Sequence, residues 1–314
     1  MTPAVDASGR PLPLVRGLVL SVLAACCYGF LPVIGKLGYA AGLDLGGMLF
    51  LRFTSAALFV GLYFLATKPS RILVDRGTLL RAALLGGAVY PVQSLCFFGA
   101  VARIPASTTT LIFYGYPLAV TLLLWLVERQ RPGRNVWLSL ALIGAGICLV
   151  FYNAFLQRAE PLGMLLAAGS MAIFSVYMLL VQRFLWGRDV LSVIFWVFVF
   201  AALSFSLGAL PGSSLFSAPA EAWFMGALVG LVPTALSGML LYAAIGLVGS
   251  AYVALFASLE PGVTVLAAWL ILGEPVLPLK LAGLVLIIAG ILLPNLRLLR
   301  QSGRREAMPP AGPM

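Results

Sequence analysis

Apolar residues run along this chain in ten long stretches separated by short polar breaks, at about 17–40, 45–66, 79–101, 105–127, 136–156, 162–184, 190–210, 222–246, 250–272 and 277–298. Crossing roughly 30 Å of hydrocarbon as a helix takes about 20 apolar residues, and each stretch is close to that length. Polar and charged positions gather between the stretches. The pattern predicts an all-α membrane protein of ten transmembrane helices. Only short loops and two tails, 1–16 and 299–314, fall outside the spans, so no soluble domain is expected.

The chain also repeats itself. At an offset of 144 positions, Ala100 falls on Ala244, Leu111 on Leu255, Pro117 on Pro261, Leu122 on Leu266, and Trp125-Leu126 on Trp269-Leu270. Leu142, Ile143, Ala145, Gly146 and Ile147 then meet Leu286, Ile287, Ala289, Gly290 and Ile291 at the same offset. Matches of Leu and Ala come easily in an apolar chain, but matches of Pro, Trp and Gly do not. The units are 17–156 and 157–298, five spans each. Five is odd, so the second unit enters the membrane upside down relative to the first. Such 5+5 inverted repeats recur in secondary transporters, with the binding site near the midplane where the halves meet.

Composition supports the bilayer and charge sets the orientation. Of 314 residues, 62% are hydrophobic and only 10% charged, against about a quarter charged in soluble domains. The net charge of +10 is not a nucleic-acid footprint, because its placement follows the membrane. With the N-terminus inside, fifteen Lys and Arg lie on the cytoplasmic side: Arg10, Arg16, Lys68, Arg71, Arg76, Arg81, Arg129, Arg131, Arg134, Arg183, Arg188, Arg297, Arg300, Arg304 and Arg305. Four lie opposite: Lys36, Arg103, Arg158 and Lys280. Arg52 is inside a span. This positive-inside bias puts both termini in the cytoplasm.

The chain has no histidine, which removes most catalytic triads and zinc sites. Its four cysteines, Cys26, Cys27, Cys96 and Cys148, sit within spans, so neither a disulfide framework nor a metal site is expected. Leu23-Ala24-Ala25-Cys26 has the look of a lipoprotein cleavage box, but apolarity continues to about Ala40, beyond a signal-peptide core.

Several phrases resemble the drug/metabolite transporter superfamily and, within it, the EamA family. An aromatic-Gly pair precedes a basic residue in the first span, here Tyr28-Gly29 and Lys36, with Tyr for the usual Trp. The second begins with Leu51-Arg52. Phe98-Gly99-Ala100 and Tyr242-Ala243-Ala244 close the third span of each half. A mid-helix proline and a terminal acid follow, as Pro117 and Glu128, then as Leu259-Glu260-Pro261 and Leu272-Gly273-Glu274. The resemblance covers both repeats; the first two spans of the second half fit worst, with Gln182 where a Lys would stand. It implies a basket of ten helices around a central cavity, and a transporter of amino acids, other small metabolites or drugs, usually outward. It encodes no substrate.

Charge inside hydrocarbon is costly, so it marks either function or a structural pair. Nine of the ten acids lie in loops, tails or helix ends; Glu260 alone is near mid-span, directly before Pro261. It is expected either to face the cavity, binding a substrate amine or carrying a proton, or to hold the Pro-distorted helix by a hydrogen bond. Arg52 is expected to be a structural charge that snorkels to the outer surface, unless it neutralises an acid or binds a carboxylate. Tyr90, Gln93 and Ser94 share one helix face, their repeat mates include Thr234 and Ser237, and Thr110, Tyr114 and Pro117 share another face. The cavity candidates are thus Glu260, Tyr28, Tyr90, Gln93, Ser94, Tyr114, Thr234 and Ser237, with Pro117 and Pro261 as hinges.

Taken together, the expectation is a secondary active transporter in a bacterial inner membrane, an exporter of small organic solutes such as amino acids, working by alternating access. No Gly-rich nucleotide loop is present. No cofactor and no metal are expected. The partners are a small-molecule substrate and the lipid bilayer; the oligomeric state is open, with a monomer sufficient. Three functions compete with transport. An intramembrane enzyme would need a nucleophile, metal cluster or paired acids, a channel would favour a ring of repeated polar residues, and a structural subunit would have no transport activity.

Overall fold

The computed structural model of the protein describes residues 12–128, 133–184, 189–208, 213–248, 253 and 256–306. Among them there is no strand. Eight helices are long and apolar enough to cross a bilayer: α1 (Val15–Ala40), α2 (Leu45–Thr67), α3 (Arg76–Val101), α4 (Ala106–Val127), α5 (Arg134–Leu156), α6 (Pro161–Phe184), α7 (Val190–Leu207) and α8 (Ala220–Val248). Two shorter apolar helices follow, α9 (Glu260–Leu272) and α10 (Pro278–Leu293). The last helix continues beyond the apolar part to Glu306. The chain is a multi-pass membrane protein. Arg10, Arg129, Arg131 and Arg188, Asp6, half of the ninth stretch before Glu260, and residues 1–11 and 307–314 of the two tails lie outside the described residues.

The helices are apolar on both sides, which a bilayer tolerates and water would not. Leu62, Leu126, Phe155, Leu165, Leu207 and Leu270 stand exposed on the outside of the bundle, where lipid would surround them. Inside, Met48, Leu49, Phe53 and Phe64 of α2 meet Phe195, Phe198 and Phe205 of α7 and Val229 of α8 in the largest apolar cluster. Phe53 stacks on Phe205 at 5.7 Å between ring centres.

Packing follows the repeat. α1 lies along the second part of α8, and α3 along α6, which is the same contact made by the partner halves. Likewise α2 against α8 matches α7 against α3, and α4 against α6 matches α9 against α1. Two contacts, α2 with α7 and α5 with α10, pair each helix with its own repeat mate. These close approaches need residues without side chains. A Cβ on Gly146 would come 2.7 Å from the Gly283 carbonyl oxygen, and one on Gly290 2.9 Å from the Ser139 carbonyl oxygen.

Gly230 of α8 is the tightest of these positions, because a Cβ there would run into the Ser55 hydroxyl and the Arg52 carbonyl of α2. Backbone cannot give way as a flexible side chain can, and overpacking of this kind costs about 1–3 kcal/mol. Gly144 has no neighbour within 4 Å of the same point. Thermal unfolding in detergent, followed by tryptophan fluorescence, is therefore expected to fall by several degrees for Gly230→Ala. Gly144→Ala should hold or raise it, since Ala favours a helix over Gly by up to about 1 kcal/mol.

Candidate functional site

The spans that surround the centre of the bundle are interrupted, and the interruptions match between repeats. α4 breaks in a turn at Tyr114-Gly115 before Tyr116-Pro117; at the 144 offset, Ser258-Leu259 form the turn before Glu260-Pro261 of α9. α3 contains a π-helical segment at Leu85–Val89 and α8 one at Leu231–Leu236. α1 breaks at Phe30, ahead of Pro32. Proline explains most of this pattern: it donates no N–H and crowds the preceding turn, and widened turns of the π type gather at functional sites.

Each break frees a backbone carbonyl, which must be satisfied from inside the protein because lipid supplies no donor. Pro91 leaves the Gly87 carbonyl free, and the Ser204 hydroxyl of α7 donates to it at 2.9 Å. Pro233 leaves the Val229 carbonyl free, and the Thr234 hydroxyl donates to it at 2.9 Å. At the α1 break, the Thr264 hydroxyl of α9 donates to the Gly29 carbonyl at 2.8 Å. Gly29 also lets the backbones close in: a Cβ there would lie 3.1 Å from the Glu260 carbonyl oxygen.

Between these breaks is a cavity of about 300 Å³, at the small end of ligand sites. It is lined by Tyr28 and Pro32 of α1, Arg52 of α2, Tyr90, Gln93 and Phe97 of α3, and Thr110, Tyr114 and Tyr116 of α4. Phe174 and Tyr177 of α6, Val197 of α7, Thr234 and Tyr242 of α8, and Glu260 complete the wall. One side is an aromatic stack: Tyr177 lies 5.0 Å from Tyr90 and 5.8 Å from Phe174, and Phe174 meets Phe113 at 4.9 Å and Tyr116 at 5.1 Å.

Six of the eight cavity candidates line this space: Tyr28, Tyr90, Gln93, Tyr114, Thr234 and Glu260. Ser94 and Ser237 do not. Both are fully buried behind the wall, where Ser94 donates to the Gln93 side-chain oxygen at 3.3 Å and Ser237 donates to the Thr234 backbone carbonyl at 3.4 Å. They hold lining residues in place. Gln93 in turn donates to the Ser170 hydroxyl of α6 at 3.0 Å. Pro117 and Pro261 stand at the second position of the helical segments that follow the two matched turns. Phe174 and Tyr177 line the wall without a sequence signal; among 19 Phe and 10 Tyr nothing distinguished them from packing residues, and Tyr242 was marked only by its family phrase.

Arg52 does not snorkel. It is 4% exposed and turns inward, donating from Nε to the Thr234 hydroxyl at 3.0 Å and from Nη2 to the Tyr90 hydroxyl at 3.2 Å. Its guanidinium lies 4.8 Å from the Phe53 ring centre and 5.2 Å from that of Phe98, so aromatic faces carry part of its charge. Glu260 lines the cavity together with Tyr114 and Tyr116. Among the described residues, neither Arg52 nor Glu260 has an ion-pair partner, while Lys36, Arg71 and Arg103 each have one. The Thr110 hydroxyl, on the same wall, is buried without a hydrogen-bond partner. No group of three or more His, Cys, Asp or Glu converges among the described residues.

A family model described as the EamA-like transporter family matches residues 15–152 and again 161–296, one match per repeat. The search of curated proteins found no match. A solved structure titled only "Crystal structure of protein" shares the fold with a TM-score of 0.60 at 17% identity, over 91% of this chain and 99% of the other.

The hydroxyls that repair the broken turns should be measurable in stability. An unsatisfied buried carbonyl costs about 1–3 kcal/mol, so Ser204→Ala and Thr234→Val are each expected to lower the melting temperature in detergent. Ser206→Ala, whose hydroxyl bonds at an exposed position, should stay within about 0.5 kcal/mol of the parent.

Proposed function

The chain belongs to the EamA-like transporter family, and from that membership we propose that it exports small organic solutes, amino acids or related metabolites, by secondary active transport. Its ten apolar segments are ten membrane spans, arranged as five plus five in opposite senses around the cavity. Both termini are cytoplasmic and the membrane is the bacterial inner membrane; the fifteen-to-four division of Lys and Arg supports this orientation. Alternating access comes from rocking of the two halves, with the turns ahead of Pro117 and Pro261 as the flexing points.

The observation that carries this reading is that Arg52, buried, and Glu260, half-buried, line one cavity inside the bundle, each without an ion-pair partner among the described residues. A desolvated charge is costly until it is paired. A cargo bearing both a carboxylate and an ammonium would complete both poles, and the free Thr110 hydroxyl offers it a third contact. The poles come from different halves: at the 144 offset Arg52 meets Trp196, and Glu260 meets Tyr116. A dipolar cargo therefore has one orientation in an otherwise pseudo-symmetric space, and the aromatic wall accommodates an apolar side chain.

Counterflow in proteoliposomes over labelled amino acids, nucleotides and amphiphilic cations tests the assignment. Neutral amino acids with large apolar side chains are expected to exchange. Removing one charged hydrogen bond is worth about 1.5–3 kcal/mol, so Glu260→Gln and Arg52→Gln should each slow exchange by about tenfold or more. Full-rate exchange in both variants would remove the two residues from the site, and exchange confined to the cations would remove Arg52 from recognition.

A further inference from the structure

A second polar cluster lies away from the cavity, where α1 ends, α4 begins and α9 turns into α10. Its centre is Glu274, 8% exposed although it ends a helix. Gly273 sits at φ +66°, a left-handed cap that suits glycine, and it turns the chain back so that the Glu274 carboxylate points at the first turn of α4. There it accepts from the backbone N–H of Ala106 at 2.6 Å, from that of Ser107 at 3.1 Å, and from the Ser107 hydroxyl at 2.5 Å. The residue before α4 is Pro105, which provides no side-chain cap. The helix is therefore capped across the repeat boundary, with a negative charge at its positive end.

Two lysines close the cluster. Lys36 of α1 meets Glu274 at 3.4 Å. Lys280 of α10 is 4% exposed and donates to the Ser107 hydroxyl at 3.0 Å and to the Pro275 carbonyl at 3.1 Å. Beneath them, Val33, Ala106, Ala267 and Ala268 pack as a small apolar plug, each at most 4% exposed. The cavity stops short of this plug. Its lining on α1 ends at Pro32 and on α4 begins at Thr110, and Ala106–Ile112 are all buried. In the other direction the lining runs to Val181 of α6 and Val193 of α7, near the helix ends.

We propose that Glu274 is a latch that closes the cavity at the end of the bundle opposite the chain termini. It bonds α4 and α1 of the first repeat to the α9–α10 turn of the second, and cargo can leave by that end only after these bonds part. The conformation seen here is then the one open toward the termini. The idea rests on the transport reading for its purpose, but its geometry can be tested without any cargo.

The test uses the full chain with its four cysteines replaced by serine and Val33→Cys as reporter, in lipid nanodiscs, labelled with a membrane-impermeant maleimide. In the parent the buried thiol should react slowly. Glu274→Gln sets amide N–H groups against the α4 N–H donors, and loss of a charged hydrogen bond shifts a two-state balance by about tenfold or more; labelling should quicken by that factor. Lys36→Gln, whose side chain is 29% exposed, should fold normally and quicken labelling less. An unchanged rate in either variant with a parental melting profile overturns the latch. Should Glu274→Gln not fold, Lys36→Gln decides alone. Faster labelling with no counterflow for any solute would support the latch while ending the transport reading; counterflow with unchanged labelling would do the reverse.

Discussion

A bilayer core has no hydrogen-bond donors, and every backbone carbonyl released by a broken helix there must find one inside the protein. That requirement organises the centre of this molecule. Breaks at Phe30, Tyr114-Gly115 and Ser258-Leu259, and the wide turns of α3 and α8, occur where α1, α3, α4, α8 and α9 face one another. The hydroxyls of Ser204, Thr234 and Thr264 supply the missing donors. The interior cavity and the irregular backbone occupy the same place because neither is tolerated against lipid. Thr234 shows the economy of the arrangement: one hydroxyl donates to a freed carbonyl and accepts from Arg52.

Much of this was legible in the chain. The ten apolar stretches and the 144-residue offset foretold an all-helical membrane protein of two repeats, and the offset lined up the two turns before Pro117 and Pro261. The short family phrases acquire physical meanings. The glycine of Tyr28-Gly29 admits α9 to within contact of α1 at Glu260, and that of Leu272-Gly273-Glu274 provides the left-handed cap that aims a carboxylate. What stayed hidden depended on partners far away in sequence. Arg52 looked like a snorkelling charge because its acceptors, Thr234 and Tyr90, lie on other helices. Glu274 looked like a loop acid because it caps a helix that begins 168 positions earlier. Ser94 and Ser237 share faces with lining residues, yet helical periodicity alone does not separate a cavity wall from the shell behind it.

The two repeats agree in scaffold and differ in chemistry. Helix contacts, turns and prolines come in matched pairs, whereas the cation of Arg52 and the carboxylate of Glu260 each stand opposite an aromatic residue in the other half. In the transport proposed here, the duplicated frame supplies two near-equivalent arrangements to rock between, while the single-copy charges tell one end of a small molecule from the other.

The α5–α10 contact bears on how such a frame can move. Gly146, Gly283 and Gly290 bring the two backbones together, Ile143 and Val150 fill the remaining space, and the Ser139 hydroxyl ties onto the Gly290 carbonyl at 2.5 Å. Sliding one helix past the other would force a methylene into a carbonyl, so this seam has no play along its length. In the rocking motion proposed above, such a seam is the axle: displacement grows with distance from it, so that a few degrees of tilt here becomes ångströms of opening at the far wall.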